Sequence, residues 1–185
     1  MKQFLSEYDF PFLPSINFES EWEKNSVVVN QHPWLNFSGY FRDESQQIQH
    51  EYLMSSVRAG EFKKWLQARE EWEPNKWNDK YYLDQIYRSR YWLSQLETVA
   101  TFNRNHSSYG LKHYCEDWWK QIAHKFNAKS RCGGYICNGS LIVAALSLGW
   151  KFSDTYKKHR SLNVDFPISE KSLKRLTQEF ANPVI

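Results

Sequence analysis

The side chains of this chain with the widest chemical reach crowd between residues 113 and 137, where His113, Cys115, His124, Cys132 and Cys137 occur together. Thiolate and imidazole are the donors zinc prefers, and a structural site needs four of them aimed at one point. The spacing works against it. His113 and Cys115 stand two apart, about 200° around a helix axis, and Cys132-x4-Cys137 is looser than the usual Cys-x2-Cys. Buried or incidental thiols without a metal are the expectation. The same residues contain a Cys–His nucleophile pair, but no elbow or oxyanion turn accompanies it. Glu116-Asp117 and Asp43-Glu44 are adjacent pairs that point apart, as ordinary surface carboxylates do. No Gly-rich phosphate cradle, HExxH or GxSxG motif occurs. No catalytic residue, cofactor or metal is therefore assigned, and the chain is expected not to be an enzyme.

The elements that must position these residues are legible between 107 and 168. Ser107 or Ser108 is suited to cap a helix whose apolar stripe is Leu111, Cys115, Trp118, Trp119, Ile122 and Phe126. Gly133-Gly134 lets the chain reverse. A second helix follows, with Asn138 as N-cap, Leu141, Ile142, Ala145, Leu146 and Leu148 as its body and Gly149 as a left-handed stop. Its outer face is almost without polar residues, which predicts a core helix, with Trp118, Trp119, Ile122, Leu141, Ile142 and Leu146 buried. Trp150 and Phe152, then Val164, Phe166 and Ile168, alternate with other residues as two short strands do. Helix, turn, helix and a hairpin with a basic tip is the order of a winged helix-turn-helix. A recognition helix needs long polar side chains on its outer face, and residues 139–148 lack them.

Elsewhere the pattern is coarser. Residues 1–40, with PFLPS, QHPW and a buried strand candidate at Val27-Val28-Val29, read as an irregular aromatic and proline-rich arm or lid. Residues 41–185 read as a helical domain with a basic C-terminal subdomain at 104–185. Its further helices are expected from about Glu44 to Arg58, from Phe62 to before Pro74, from Asp79 to Phe102 as the longest and the spine, and from Ser169 through Leu173, Leu176 and Phe180. The expected fold class is mainly α (α+β): a helical core, a small β-hairpin near the C-terminus, and a helix-turn-helix-like or winged unit at 107–168.

Charge divides unevenly along the chain. Residues 1–103 carry 11 Lys and Arg against 15 Asp and Glu, a net of −4, while 104–185 carry 13 against 6, a net of +7. The basic half favours an anionic partner. Lys151, Lys157, Lys158, His159 and Arg160 are the candidates for contact with nucleic acid or an acidic surface. The second anomaly is aromatic, with 9 Trp, 11 Tyr and 12 Phe. Such rings dominate interface hot spots and also stack on unpaired bases, and EEWEPNKWNDKYY, with Trp72, Trp77, Tyr81 and Tyr82, is the best candidate for an exposed protein-binding patch. The longest apolar run, LIVAAL, is far short of the roughly 20 residues a bilayer needs, and three cysteines without a regular framework fit a reducing compartment. A cytoplasmic protein of a bacterial host with no membrane contact is expected.

Ser108-Tyr109-Gly110-Leu111-Lys112-His113, Glu116, Trp118, Tyr135-Ile136-Cys137-Asn138-Gly139, Ile142, Ala144-Ala145-Leu146 and Gly149-Trp150 together resemble a block found in an uncharacterised family of plasmids, integrative elements and phages. The resemblance covers about a quarter of the chain. It implies no catalytic residues, a small non-ligand residue at the position of Cys137, and a context in which small proteins act by binding. Two functions follow as expectations. One is a non-catalytic inhibitor of a host defence complex such as CRISPR-Cas, with a host protein or ribonucleoprotein as partner, in the manner of an anti-CRISPR. The other is an accessory or regulatory protein that binds DNA or RNA through the winged unit.

Overall fold

The computed structural model describes residues 13, 15–41, 43–55, 61–70, 77–126, 134–153 and 161–178, and its first helix starts where Asn17 Oδ1 accepts the free amide of Ser20 at 3.1 Å. Helix α1 (Phe18–Gln31) contains the Val27-Val28-Val29 run that the sequence alone assigns to a strand. Tertiary contact overrides β-propensity here. The buried positions Glu21, Asn25 and Val28 fall four and three apart on one helical face, and two of them are polar, so no apolar period betrays the helix. Arg90 of the fourth helix satisfies both polar residues: its Nη1 donates to Glu21, its Nη2 to Asn25, and its Nε to Ser147 Oγ at 2.8 Å.

A two-strand antiparallel hairpin follows, β1 (Leu35–Asn36) and β2 (Gly39–Tyr40), with Leu35 opposite Tyr40. Asp43 caps α2 (Glu44–Met54) through Gln46 N–H at 2.9 Å. Next come α3 (Phe62–Glu70) and α4 (Lys80–Leu93), the latter capped by Asp79 Oδ1 on Tyr81 N–H at 2.8 Å. The helical spacing predicts continuation to Phe102, but α4 ends at Leu93. Residues 97–103 instead pair with 166–169: Val99 N–H donates to Pro167 O at 2.8 Å, Asn103 N–H to Phe166 O at 3.0 Å, and Ser169 N–H to Glu97 O at 2.9 Å. Those long-range bonds replace the ones that two more helical turns would have made.

Ser107 caps α5 (Ser108–Lys125), at 18 residues the longest described helix. Helix α6 (Asn138–Ser147) is capped by Cys137 rather than by Asn138: the thiol Sγ accepts Ser140 N–H at 3.3 Å, which frees the Asn138 amide to donate to Ser38 O at 3.0 Å. α6 is buried from Asn138 through Ala145, Leu146 is half-buried against the core, and Gly149 ends the helix with φ +77. Helices α1, α4 and α5 and strand β2 all pack on α6. Helices α5 and α6 follow one another as expected, with residues 127–133 outside the described residues, but α6 turns no face outward and so cannot enter a DNA groove. Beyond it, Ser153 and Asp165 exchange two backbone bonds of 2.9 Å as a single antiparallel bridge, and Val164, Phe166 and Ile168 enter the core. Helix α7 (Glu170–Gln178) closes the described chain, with Leu173 and Leu176 buried. No helix among the described residues is long and apolar enough to cross a membrane.

The hairpin docks on the first turn of α6 by backbone contact. Gly139 N–H donates to Phe37 O at 3.0 Å. A Cβ at Gly139 would lie 1.9 Å from Asn36 O and 2.9 Å from Trp77 Cη2, so only glycine permits this approach. Trp77, predicted as an exposed interface residue, is wholly buried beneath this junction, with Phe37 edge-on at 4.7 Å. The correction has a physical cause, because the hairpin backbone and the missing side chain at 139 leave a slot that the indole fills.

Candidate functional site

Next to this junction three tyrosines that remain about half exposed converge, and one of them, Tyr81, meets the Tyr82 ring edge-on at 5.2 Å. Tyr81 stands in the first turn of α4, Tyr109 in the first turn of α5, and Tyr135 in the segment entering α6, with exposures of 42%, 51% and 48%. His113, one turn beyond Tyr109, lies edge-on to its ring at 4.7 Å and is also half exposed. The tyrosines are close enough that Tyr81 and Tyr109 both act electrostatically on Tyr135.

Beneath the rings lies a buried ion pair. On α5, Tyr109, Lys112, His113 and Glu116 follow the i, i+3, i+4, i+7 spacing of one face. Lys112 Nζ is 3.1 Å from Glu116 Oε1 and lies over both the Tyr109 and Tyr135 rings, 5.1 and 5.0 Å from their centroids. Glu116, expected as a surface carboxylate, is buried and accepts two further bonds, from Ile136 N–H at 2.9 Å and from His113 Nδ1 at 2.8 Å. A carboxylate only accepts, which places a proton on His113 Nδ1. Its neighbour Asp117 does face solvent and pairs with Lys120 at 3.0 Å.

The segment carrying Tyr135 is held on three sides. Glu116 takes the Ile136 amide, Gln85 Oε1 takes the Cys137 amide at 2.7 Å, and Arg88 Nη2 donates to Tyr135 O at 3.2 Å while its Nε pairs with Asp84 at 2.8 Å. Buried charge-assisted bonds of this kind fix geometry more than they add net stability. The backbone that presents Tyr135 is thereby fixed.

Chemically the arrangement donates hydrogen bonds and offers ring faces. Burial, reinforced by Cys137, Glu116, Tyr81 and Tyr109, pushes the Tyr135 hydroxyl above its ordinary value, and burial first, then Cys137, Tyr81, Asp79 and Tyr135, pushes Tyr82 up to about 12. Burial likewise raises the Cys115 and Cys137 thiols. Neither thiol is activated toward nucleophilic attack or metal binding, because both need the thiolate. His113 and Cys115 diverge on α5 as their spacing predicts, one half exposed and the other enclosed.

Of the predicted site residues, Tyr81 belongs to this cluster, while Tyr82 is half-buried, stacked on Phe37 at 3.6 Å. Lys151 is exposed beside a cleft formed with Val99, Phe102, Trp150 and Pro167. Trp72, Lys157, Lys158, His159 and Arg160, like Cys132, lie outside the described residues. Sequence reasoning missed Tyr109, Lys112, Glu116 and Tyr135, although the first three repeat at helical spacing beside the apolar stripe of α5. Comparison with protein-family models, with curated proteins and with solved structures finds no match for this chain.

Proposed function

We propose that this chain is a non-catalytic binding protein of a mobile genetic element that inhibits a host defence complex such as CRISPR-Cas in the bacterial cytoplasm, docking on a protein surface through Tyr81, Tyr109, His113 and Tyr135. One observation carries the reading: half-exposed tyrosines are held rigid over a patch whose charges cancel. Lys112 is neutralised by Glu116, Arg88 by Asp84, and Lys120 by Asp117. Aromatic anchors with charge depleted at the centre are the composition of a protein–protein interface core, and rigidity limits the entropy lost on binding. A nucleic-acid footprint instead requires excess positive charge. The resemblance of the 108–150 block to proteins of plasmids and phages supplies the context of host defence.

The test is capture of partners from host lysate on the immobilised chain after nuclease digestion. A stoichiometric protein partner that survives digestion and is lost with Tyr109→Ala/Tyr135→Ala supports the proposal. Capture that disappears with nuclease, or that ignores the double substitution, overturns it.

A further inference from the structure

The outer face of α7 carries a second recognition feature on elements other than those of the tyrosine cluster. Lys171, Lys174, Arg175 and Gln178 recur at i, i+3, i+4 and i+7, a stripe opposite the buried Ser172, Leu173 and Leu176. The loop before α5 is tied to the start of this helix. Asn103 Nδ2 donates to Glu170 Oε2 at 3.1 Å, and His106 Nε2 lies 3.0 Å from the same oxygen. Arg104, between these two contacts in sequence, is exposed on the loop they tie to the start of α7.

We propose that Arg104, Lys171, Lys174 and Arg175 grip the phosphate backbone of a nucleic-acid duplex. Four cations face two carboxylates here, Glu170 and Glu97. Lys174 meets Glu170 at 3.5 Å and Arg175 meets Glu97 at 3.4 Å, all with side chains 39% to 66% exposed. Pairs so open to water are weak and yield their cations to a denser anion. Glu170 is held on its other side by Asn103 and His106, whose hydrogen bonds keep its carboxyl below the usual range, so it stays ionised while Lys174 turns away. Among the described residues, Lys171 and Arg104 have no anionic partner. The amides of Asn105 and Gln178 add neutral donors of the kind that contact phosphate oxygens. The exposed rings of Phe102 and Tyr114 stand beside the loop of Arg104, but no aromatic residue lies on the stripe itself, whose regularly spaced cations suit the fixed phosphates of a duplex backbone.

Fluorescence anisotropy of the full chain on two unrelated labelled duplexes tests this. Four phosphate contacts give equal affinity for both sequences and a loss of about 100-fold between about 50 and about 200 mM salt. Lys171→Ala lowers the slope of log affinity against log salt by roughly 0.9 unit and the quadruple Ala variant removes the dependence, with melting temperature preserved because every altered side chain is exposed. Tyr109→Ala/Tyr135→Ala leaves duplex binding unchanged, so this proposal and the protein-docking one fail separately. A salt slope that survives the quadruple variant, tighter binding to a single strand than to its duplex, or capture of polyglutamate with no duplex binding each overturns it.

Discussion

Two aromatic clusters adjoin near the N-terminus of α6, joined where Tyr81 meets Tyr82 edge-on at 5.2 Å, and are put to opposite uses. On one side Trp77, Phe37 and Tyr82 pack under the hairpin, where the missing side chain of Gly139 lets backbone meet backbone and an indole fill the slot. On the other, Tyr109 and Tyr135 lie over Lys112 of the buried Lys112–Glu116 pair and, with Tyr81, remain about half exposed. Ring content does not separate the two sides. What lies beneath does: an apolar slot draws rings inward, whereas a saturated polar cluster occupies the interior and leaves the rings to cover it. Local composition around a ring therefore predicts its exposure less well than the element on which it lands.

Breaking the buried side has the largest effect. Trp77→Ala empties the slot and costs about 3–5 kcal/mol of stability by chemical denaturation. Gly139→Ala pushes a methyl group into the Asn36 carbonyl and costs about 3 kcal/mol, the upper range for overpacking, because the obstacle is backbone. A Gly139→Ala protein of native stability would refute the backbone-contact account of the junction. On the tyrosine side, Glu116→Ala strands the buried Lys112 ammonium and costs about 3 kcal/mol. Lys112→Met/Glu116→Gln, which removes both charges but keeps an oxygen for the Ile136 amide, recovers most of that loss. If the double variant is as unstable as the single one, the pair is not what the rings rest on.

Those two outcomes also explain what was legible from sequence. The mainly helical class, the Ser107 cap, the left-handed Gly149 and the burial of Trp118, Trp119, Leu141 and Ile142 follow from local period and capping chemistry, and the structure has them. Helix α1 was not legible, because half of its inward face is polar and becomes acceptable only when Arg90 arrives from α4. The end of α4 was not, because its pairing partner lies about 70 residues on. Glu116 looks like a surface carboxylate until the Ile136 amide, 20 positions away, folds onto it. Each miss is a polar or backbone bond closed over long range, to which periodicity is blind. The polar composition after Trp77 fits the turn at 77–79 but does not foretell the slot that receives the indole.

A smaller effect sharpens the comparison at the exposed side. Tyr109→Phe and Tyr135→Phe keep the ring over Lys112 and remove only a hydroxyl, so each changes unfolding free energy by less than about 0.5 kcal/mol. Isothermal titration with the captured partner then divides ring from hydroxyl. Wild-type affinity in both Phe variants assigns the contact to the ring faces, and a loss of about tenfold, or 1.4 kcal/mol, assigns it to donated hydrogen bonds. Unfolding by a Phe substitution would instead make the hydroxyls part of the scaffold and erase the distinction between the two clusters.

The smallest effect is read at high pH, and it places Tyr82 on the buried side. Its hydroxyl has an ordinary value of 10.0 and is pushed up to about 12, chiefly by burial. The raised value means that the unfolded chain loses this proton before the folded one does. Stability from Tyr82 is therefore fully present below about pH 10 and is lost as pH climbs toward about 12. The raised Cys115 and Cys137 thiols act in the same direction, so the decline is shared and Tyr82→Phe removes only part of it. Phenolate absorbance of the folded protein supplies the assignment: a phenolate step near pH 12 in the wild type is missing in Tyr82→Phe. An unchanged set of phenolate steps in that variant would mean that the ring stacked on Phe37 is as wet as Tyr81, and the line between the two clusters would have to be drawn elsewhere.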